Sequence, residues 1–185
     1  MKRTLAVILL ALAISTVAWS VVREEGRRTC FTPGDDCTAF LVSRIAMARS
    51  ELLVMAYYFT DDKLISAICD AKDRHVPVTV LLDRTNEQCT YEGTTTKLGQ
   101  CADVMVDDHL AIQHNEVVVI DRAIVITGSF NLTRSGQKRN AGNLLLTADP
   151  KEAAEYADYF QARRMLARPL RSMEPCQSKA AVGNG

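Results

Sequence analysis

The chain has 185 residues, enough for one domain with a sizeable core and too few for two ordinary ones. Its 22 basic and 22 acidic residues cancel, so no strong overall field steers it toward polyanions and any polyanion site must be local. The first twenty residues, MKRTLAVILLALAISTVAWS, carry Lys2 and Arg3 ahead of an apolar run and end on Ala18-x-Ser20. That is the pattern of a signal peptide, with an uncleaved membrane anchor over Leu5 to Val22 as the alternative. Either reading puts the body outside the cytoplasm, periplasmic or secreted or else membrane-anchored, and loss of the leader leaves a net charge of about −2.

Residues 21–29 read as a linker and residues 30–168 as the domain. CTAFLVSRIAMARS, from Cys37, places Leu41, Ile45 and Ala48 on one helical stripe. The dense apolar run ELLVMAYYF, from Glu51, predicts a strand buried on both faces. Its closing Tyr57-Tyr58-Phe59 is read as packing, with one tyrosine near a site as the alternative. Asp61 and Asp62 offer caps for a helix over DDKLISAICDAKDR, and VPVTVLLD follows as a second strand. Strand, helix, strand implies a right-handed crossover between parallel neighbours.

Residues 84–101 predict a polar loop with a short helix near Thr95 to Leu98, and ADVMVD from Ala102 predicts another strand. Two strands, Val117 to Ile120 and Ile124 to Thr127, flank an Asp121-Arg122-Ala123 turn and form a hairpin. NLLLT from Asn143 is a further strand. Asp149 caps a last helix that has Pro150 at its first position and runs to Leu166. The fold class expected is α/β, a mixed and mostly parallel sheet flanked by helices, with a disordered tail over 169–185.

Six cysteines in an exported chain suggest disulfides. Cys30 and Cys37 bracket a turn-like loop and Cys89 and Cys101 flank another, so these are the two expected pairs. Cys69, on an apolar helical face beside Ile65 and Ile68, is expected as a buried thiol; Cys176 is left open as free, paired with Cys69, or intermolecular. A structural zinc site is the alternative, without a close Cys-x-x-Cys pair to support it.

The chemistry concentrates in IQHNEVVVIDRAIVITGSFN, residues 112–131. His114 and Glu116 stand two apart on an incipient strand and so share a face; Asp121 lies at the hairpin tip, and Gly128 frees a turn that presents Ser129 and Asn131. With His114, Asp121, Gly128, Ser129 and Asn131 in register, the segment resembles the His-x-Lys-x4-Asp-x6-Gly-Ser-x-Asn signature of phospholipase D-like enzymes. The likeness extends through LLVMAYYFTDDKLISAI, VPVTVLLDRTN and GQKRNAGNLLL, and is greatest to small exported bacterial nucleases and related mitochondrial single-motif proteins.

The resemblance implies a homodimer, because two motif copies build one site in that family and this chain has one. It implies that one His114 attacks phosphorus while the other protonates the leaving oxygen, with no cofactor or metal, on a nucleic-acid or phospholipid phosphodiester. Asp121 would orient the histidine, and Ser129, Asn131, Asn143 and Arg139 would bind phosphate oxygens.

Two positions depart from the signature: Glu116 replaces the lysine, and Gly142 replaces a glutamate between Asn140 and Asn143. Losing one well-placed donor costs about 2.7 to 4 kcal/mol in the transition state, and a carboxylate in its place is expected to repel as well. Impaired hydrolysis is therefore expected, with an inactive homodimeric phosphate- or nucleic-acid-binding protein as the alternative. Arg134, Lys138 and Arg139 are compensating charges or else a solvated rim. A metal held by His109, His114 and Glu116 with Asp107, Asp108 or Asp121 is a further alternative that strand geometry makes hard to assemble.

Overall fold

The computed structural model describes residues 27–88 and 92–171. In chain order these form β1 (Arg27–Thr32), α1 (Cys37–Ile45), β2 (Leu52–Ala56), α2 (Asp62–Asp73), β3 (Val78–Asp83), a 3-10 turn (Arg84–Glu87) and α3 (Glu92–Cys101). There follow β4 (Asp103–Asp107), β5 (Val117–Ile120), β6 (Ile124–Gly128), α4 (Arg134–Lys138), β7 (Gly142–Thr147), α5 (Pro150–Leu166) and β8 (Arg168–Pro169). The leader, Cys89 and Cys176 lie outside the described residues. No helix among those described is long and apolar enough to cross a membrane.

The strands form one sheet in the order β1-β7-β6-β5-β2-β3-β4-β8. Here the expectation of a mostly parallel sheet is overturned. Only β2–β3 and β3–β4 run parallel; β1–β7, β7–β6, β6–β5, β5–β2 and β4–β8 are antiparallel. A parallel pair needs a long crossover, and α2 and the α3 region supply two. Beyond β4 the connections shrink to a tight turn between β5 and β6 and the five-residue α4 between β6 and β7, which return the chain antiparallel.

Local chemistry sets the element ends. Asp36, Asp61 and Asp149 accept hydrogen bonds from the first-turn amides of α1, α2 and α5. At the β5–β6 turn Asp121 and Arg122 take φ of 54° and 51°, and the Ala123 amide donates to the Ile120 carbonyl, closing a three-residue loop between the paired Ile120 and Ile124.

Strand alternation splits the core in two. Leu52, Val54 and Ala56 of β2 face α1, α2 and α3 with Leu41, Ile68 and Leu98, whereas Leu53 and Met55 face α5 with Ala157 and Phe160. β2 is thus covered on both sides, as its unbroken apolar run requires.

Both chain ends and one disulfide differ from expectation. Residues 27–29, read as linker, open β1, which pairs with β7. The expected tail begins too early, since Pro169 pairs with Met105 and the Leu170 amide donates to Val104. Cys30 bonds to Cys37, tying β1 to α1, but Cys101 bonds to Cys69 instead of Cys89. The apolar face of α2 that suggested a buried thiol is the face on which α3 packs, so it meets a second cysteine there.

Non-reducing peptide mapping is expected to recover Cys69 and Cys101 in one crosslinked fragment. Because the bond spans 32 residues, Cys69→Ala with Cys101→Ala is expected to lower stability by about 3–4 kcal/mol in urea unfolding.

Candidate active site

Antiparallel pairing of β5 between β2 and β6 decides which chain ends meet. Met55 faces Val117 and Val117 faces Thr127, so the end of β2, the approach to β5 and the end of β6 share one edge of the sheet. β7 begins at the same edge, with Gly128 opposite Leu144. His114 is carried there by the connection from β4 to β5, Ser129 and Asn131 by the segment after β6, and Asn143 by the start of β7.

His114 is exposed and its ring stands 4.8 Å from that of Tyr57, tilted by 39°. Tyr57 sits in a bend just beyond β2, and its ring is 4.2 Å from Tyr58. The three rings form a row along the edge. Phe59, by contrast, is 1% exposed and belongs to the core, so the aromatic run divides between site and packing.

Buried polar side chains hold this edge, and the sequence reading missed them. Asn86 donates from Nδ2 to the Tyr57 and Asp83 carbonyls at 2.6 and 3.0 Å and accepts from the Phe59 amide at 3.2 Å. Asp83 accepts from the Gln113 amide at 2.7 Å, and Gln113 Oε1 accepts from the Asn115 amide at 2.7 Å. These bonds bracket His114 on both sides. Their signal was the polar Asp-Arg-Thr-Asn directly after the buried β3, at the carboxyl end of a parallel strand where sites collect.

The approach to His114 is also anchored by charge. Arg168 makes a two-pronged bond to Glu87 and reaches Asp108 at 2.7 Å, and this hydrogen bonding holds the Glu87 carboxyl below its ordinary range. Arg163 makes a two-pronged bond to the fully buried Asp107, at 2.7 and 2.8 Å. The alternative metal set is therefore not gathered: Asp107 and Asp108 serve arginines, Asp121 lies at the opposite edge, and no metal-holding cluster forms among the described residues.

Glu116 does not share an exposed face with His114. Regular β5 starts only at Val117; Glu116 is 5% exposed and turned inward, its Oε1 accepting from the Tyr57 amide at 3.2 Å and its Oε2 without a partner. Burial pushes its carboxyl up to about 9, against the opposing pull of the Tyr57, Tyr58 and Leu132 amides. At neutral pH it is uncharged. The repulsion expected from a carboxylate is absent, while the positive charge of a lysine is still missing.

Asp121 requires a second correction. It lies beyond the far end of β5, seven residues from His114, roughly 20 Å along an extended strand, and so has no reach to the imidazole of its own chain. Instead its carboxylate accepts from the amides of Arg49, Ser50 and Glu51 and from the Ser50 hydroxyl, at 2.7 to 3.1 Å. Partial burial pushes its carboxyl up, but those hydrogen bonds outweigh it and hold it below its ordinary value. Asp121 ties the hairpin tip to the start of β2.

The turn after β6 depends on close backbone approach. A Cβ on Gly128 would lie 2.0 Å from the Asn143 carbonyl oxygen, which accepts from the Ser129 and Phe130 amides. Ser129 Oγ donates to Asn143 Oδ1 at 2.8 Å, and the Asn143 amide donates back to Ser129 Oγ at 3.2 Å. Asn131 has a buried Oδ1 without a partner. Arg134 is paired with Asp62 and, with Lys138, lines a groove containing Asp36 and Asp61. Arg139 is exposed beside Asn140, three positions before β7 begins at Gly142.

A family model described as cardiolipin synthase, phospholipase D-like domain, matches residues 41–164, most of the chain. The chain belongs to the phospholipase D superfamily. Among proteins similar to this phospholipase D-like chain, a phospholipase D of Rickettsia prowazekii is 39% identical over 136 residues, 74% of this chain and 66% of that protein. The mitochondrial cardiolipin hydrolase of Mus musculus is 27% identical over 126 residues, 65% of this chain and 55% of that protein. In three dimensions the chain is similar to Nuc, a phospholipase D family member of Salmonella typhimurium, with a TM-score of 0.74 at 28% identity, covering 79% of this chain and 98% of that one. NucT of Helicobacter pylori has the same fold, with a TM-score of 0.72 at 22% identity.

Two measurements check the carboxyl assignments. The folded value of Glu116 is raised, so between the unfolded value near 4.5 and about 9 the folded state holds the proton that the unfolded state has lost. Stability is expected to fall across that window by up to about 1.4 kcal/mol per pH unit, and Glu116→Gln is expected to remove the slope and be the more stable protein at pH 8. For Asp121 the folded value is lowered, so its contribution is present above the unfolded value and lost as pH falls through the folded one. Asp121→Ala is expected to cost about 1–2 kcal/mol at pH 7 in urea unfolding, and less in acid.

Proposed function

We propose that the protein is an exported, nuclease-type phosphodiesterase that works as a symmetric dimer through a phosphohistidine, with turnover slowed by the missing lysine. The carrying observation is His114, exposed at the sheet edge against Tyr57, while the unusual Glu116 is folded away and uncharged. An exposed imidazole can take either role the chemistry needs. The His114 of one subunit attacks phosphorus and the bond to the leaving oxygen breaks, while the partner's His114 delivers the proton. The partner imidazole then takes a proton from water, whose oxygen attacks phosphorus and releases the first histidine.

Phosphate oxygens are met by the Ser129 hydroxyl, the Asn131 and Asn143 amides and the Arg139 guanidinium. None of these but Arg139 is charged, so the transition state is less well stabilised than with a lysine at 116. Gly142 leaves little room for the missing glutamate: an added Cβ would stand 3.3 Å from Thr32 Oγ1 and 3.4 Å from Phe130 Cα. The leader supports export, and the single histidine motif supports the dimer. One observation favours a second reading, binding without turnover: the position of the transition-state cation holds a neutral acid.

Hydrolysis of single-stranded DNA and of a chromogenic phosphodiester, without divalent metal, separates the two. The expected result is slow turnover that His114→Ala abolishes and Glu116→Lys raises by roughly 100-fold. Oligonucleotide binding with no turnover above the His114→Ala background overturns the hydrolase reading in favour of the binding one.

A further inference from the structure

The row of rings beginning at His114 leads to a cavity of which the phosphodiesterase reading uses only Asn131. Tyr57 stands 4.8 Å from His114 and Tyr58 4.2 Å from Tyr57, and Tyr58 opens onto a cavity of about 340 Å³. Thr60, Asn131, Thr133, Ser135 and Asn140 complete its wall. The volume is that of a small-ligand cleft.

Its chemistry is selective by what it contains. The lining consists of one phenol, three aliphatic hydroxyls and two carboxamides, with no charged side chain and no aliphatic hydrocarbon residue. An acyl chain would leave these polar groups without partners, and a second phosphate would find no cation in the lining. A flat heteroaromatic ring edged with donors and acceptors finds an aromatic neighbour and groups able to serve either role.

The cavity is also firmly built. Thr60 and Asp61 amides both donate to the Leu132 carbonyl, and Phe59 bridges to Leu132, joining the Tyr58 segment to the Asn131 segment. On the other wall, Thr133 caps α4 through Gly136, where a Cβ would come within 2.3 Å of the Asn131 carbonyl oxygen. The Arg139 and Asn140 amides both donate to the Ser135 carbonyl, which sets Asn140 over the opening.

We propose that this cavity is a nucleobase subsite, which seats an unpaired base against Tyr58 when the adjoining phosphate lies at His114. The proposal rests on the nuclease reading and narrows it: the substrate is single-stranded nucleic acid, since a base held in a duplex stack is not available to the cavity. Asn131 stands at the junction, common to the phosphate turn and the cavity wall. Contact through ring faces and amide edges permits broad tolerance of sequence.

The test is fluorescence anisotropy of the full protein with a short single-stranded oligonucleotide and with an abasic strand of equal length and charge, each also assayed for cleavage. Base-bearing DNA is expected to bind roughly 5- to 100-fold more tightly than the abasic strand. Tyr58→Ala is expected to remove most of that difference and Tyr58→Phe to keep it, with Asn140→Ala as an exposed second variant that narrows it. Equal binding of the two strands by the unaltered protein overturns the subsite, whether or not any variant folds. Equal losses on both strands in Tyr58→Ala overturn it as well, as does cleavage of phosphatidylglycerol vesicles combined with base-independent DNA binding. Base-dependent binding without cleavage keeps the subsite and sinks the hydrolase reading; base-independent cleavage does the reverse.

Discussion

The insertion of β5 between β2 and β6 is the constraint on which the site depends. Both pairings are antiparallel, so the approach to β5 meets the ends of two strands that run the other way. The segment that carries His114 is thereby set between the end of β2, which leads into Tyr57, and the end of β6, which closes on Gly128. A one-residue slip would exchange Glu116 with its neighbours across the sheet and bring a polar group into the α5 core in place of Val117. Burial on both faces of β5 holds the register.

The same pairing decides the state of Glu116. Turned toward the α1–α3 side with Val118 and Ile120, it meets backbone amides and apolar side chains instead of solvent. Backbone donors favour the carboxylate, but with one oxygen left without a partner they do not offset desolvation. A charge change that looks severe in one dimension is absorbed by protonation in three. What is lost is a cation, and that loss bears on the rate of the chemistry more than on substrate approach.

Support for the site comes from polar groups that are themselves buried. Asn86, Asp83 and Gln113 bind main-chain groups around His114, while Arg163 fastens the end of β4 to α5 and Arg168 fastens Asp108, just after β4, to the 3-10 turn. Asp121 performs a comparable service at the opposite edge, where it gathers three successive amides ahead of β2. It is a residue of the motif without being a residue of the reaction in its own chain, because a strand separates it from the imidazole. The Cys69–Cys101 bond joins α2 to α3 over the same half of the sheet.

Local patterns determined the elements: the apolar runs of β2 and β3, the hairpin around Asp121, the aspartate caps and Pro150 each act within a few residues, and all are legible without neighbours. The motif spacing likewise marked His114, Ser129 and Asn131, and Gly128 marked the turn that carries the latter two. Short β1, β8 and α4 escaped, since they owe their form to partners such as β7 and Val104 more than to their own periodicity. Tertiary structure alone decided the strand directions beyond β4, the partner of Cys101, the separation of Asp121 from His114 and the neutrality of Glu116. Each depends on which segments meet across the sheet or the helices, and on the water they exclude, and neither quantity is contained in the spacing of residues along the chain.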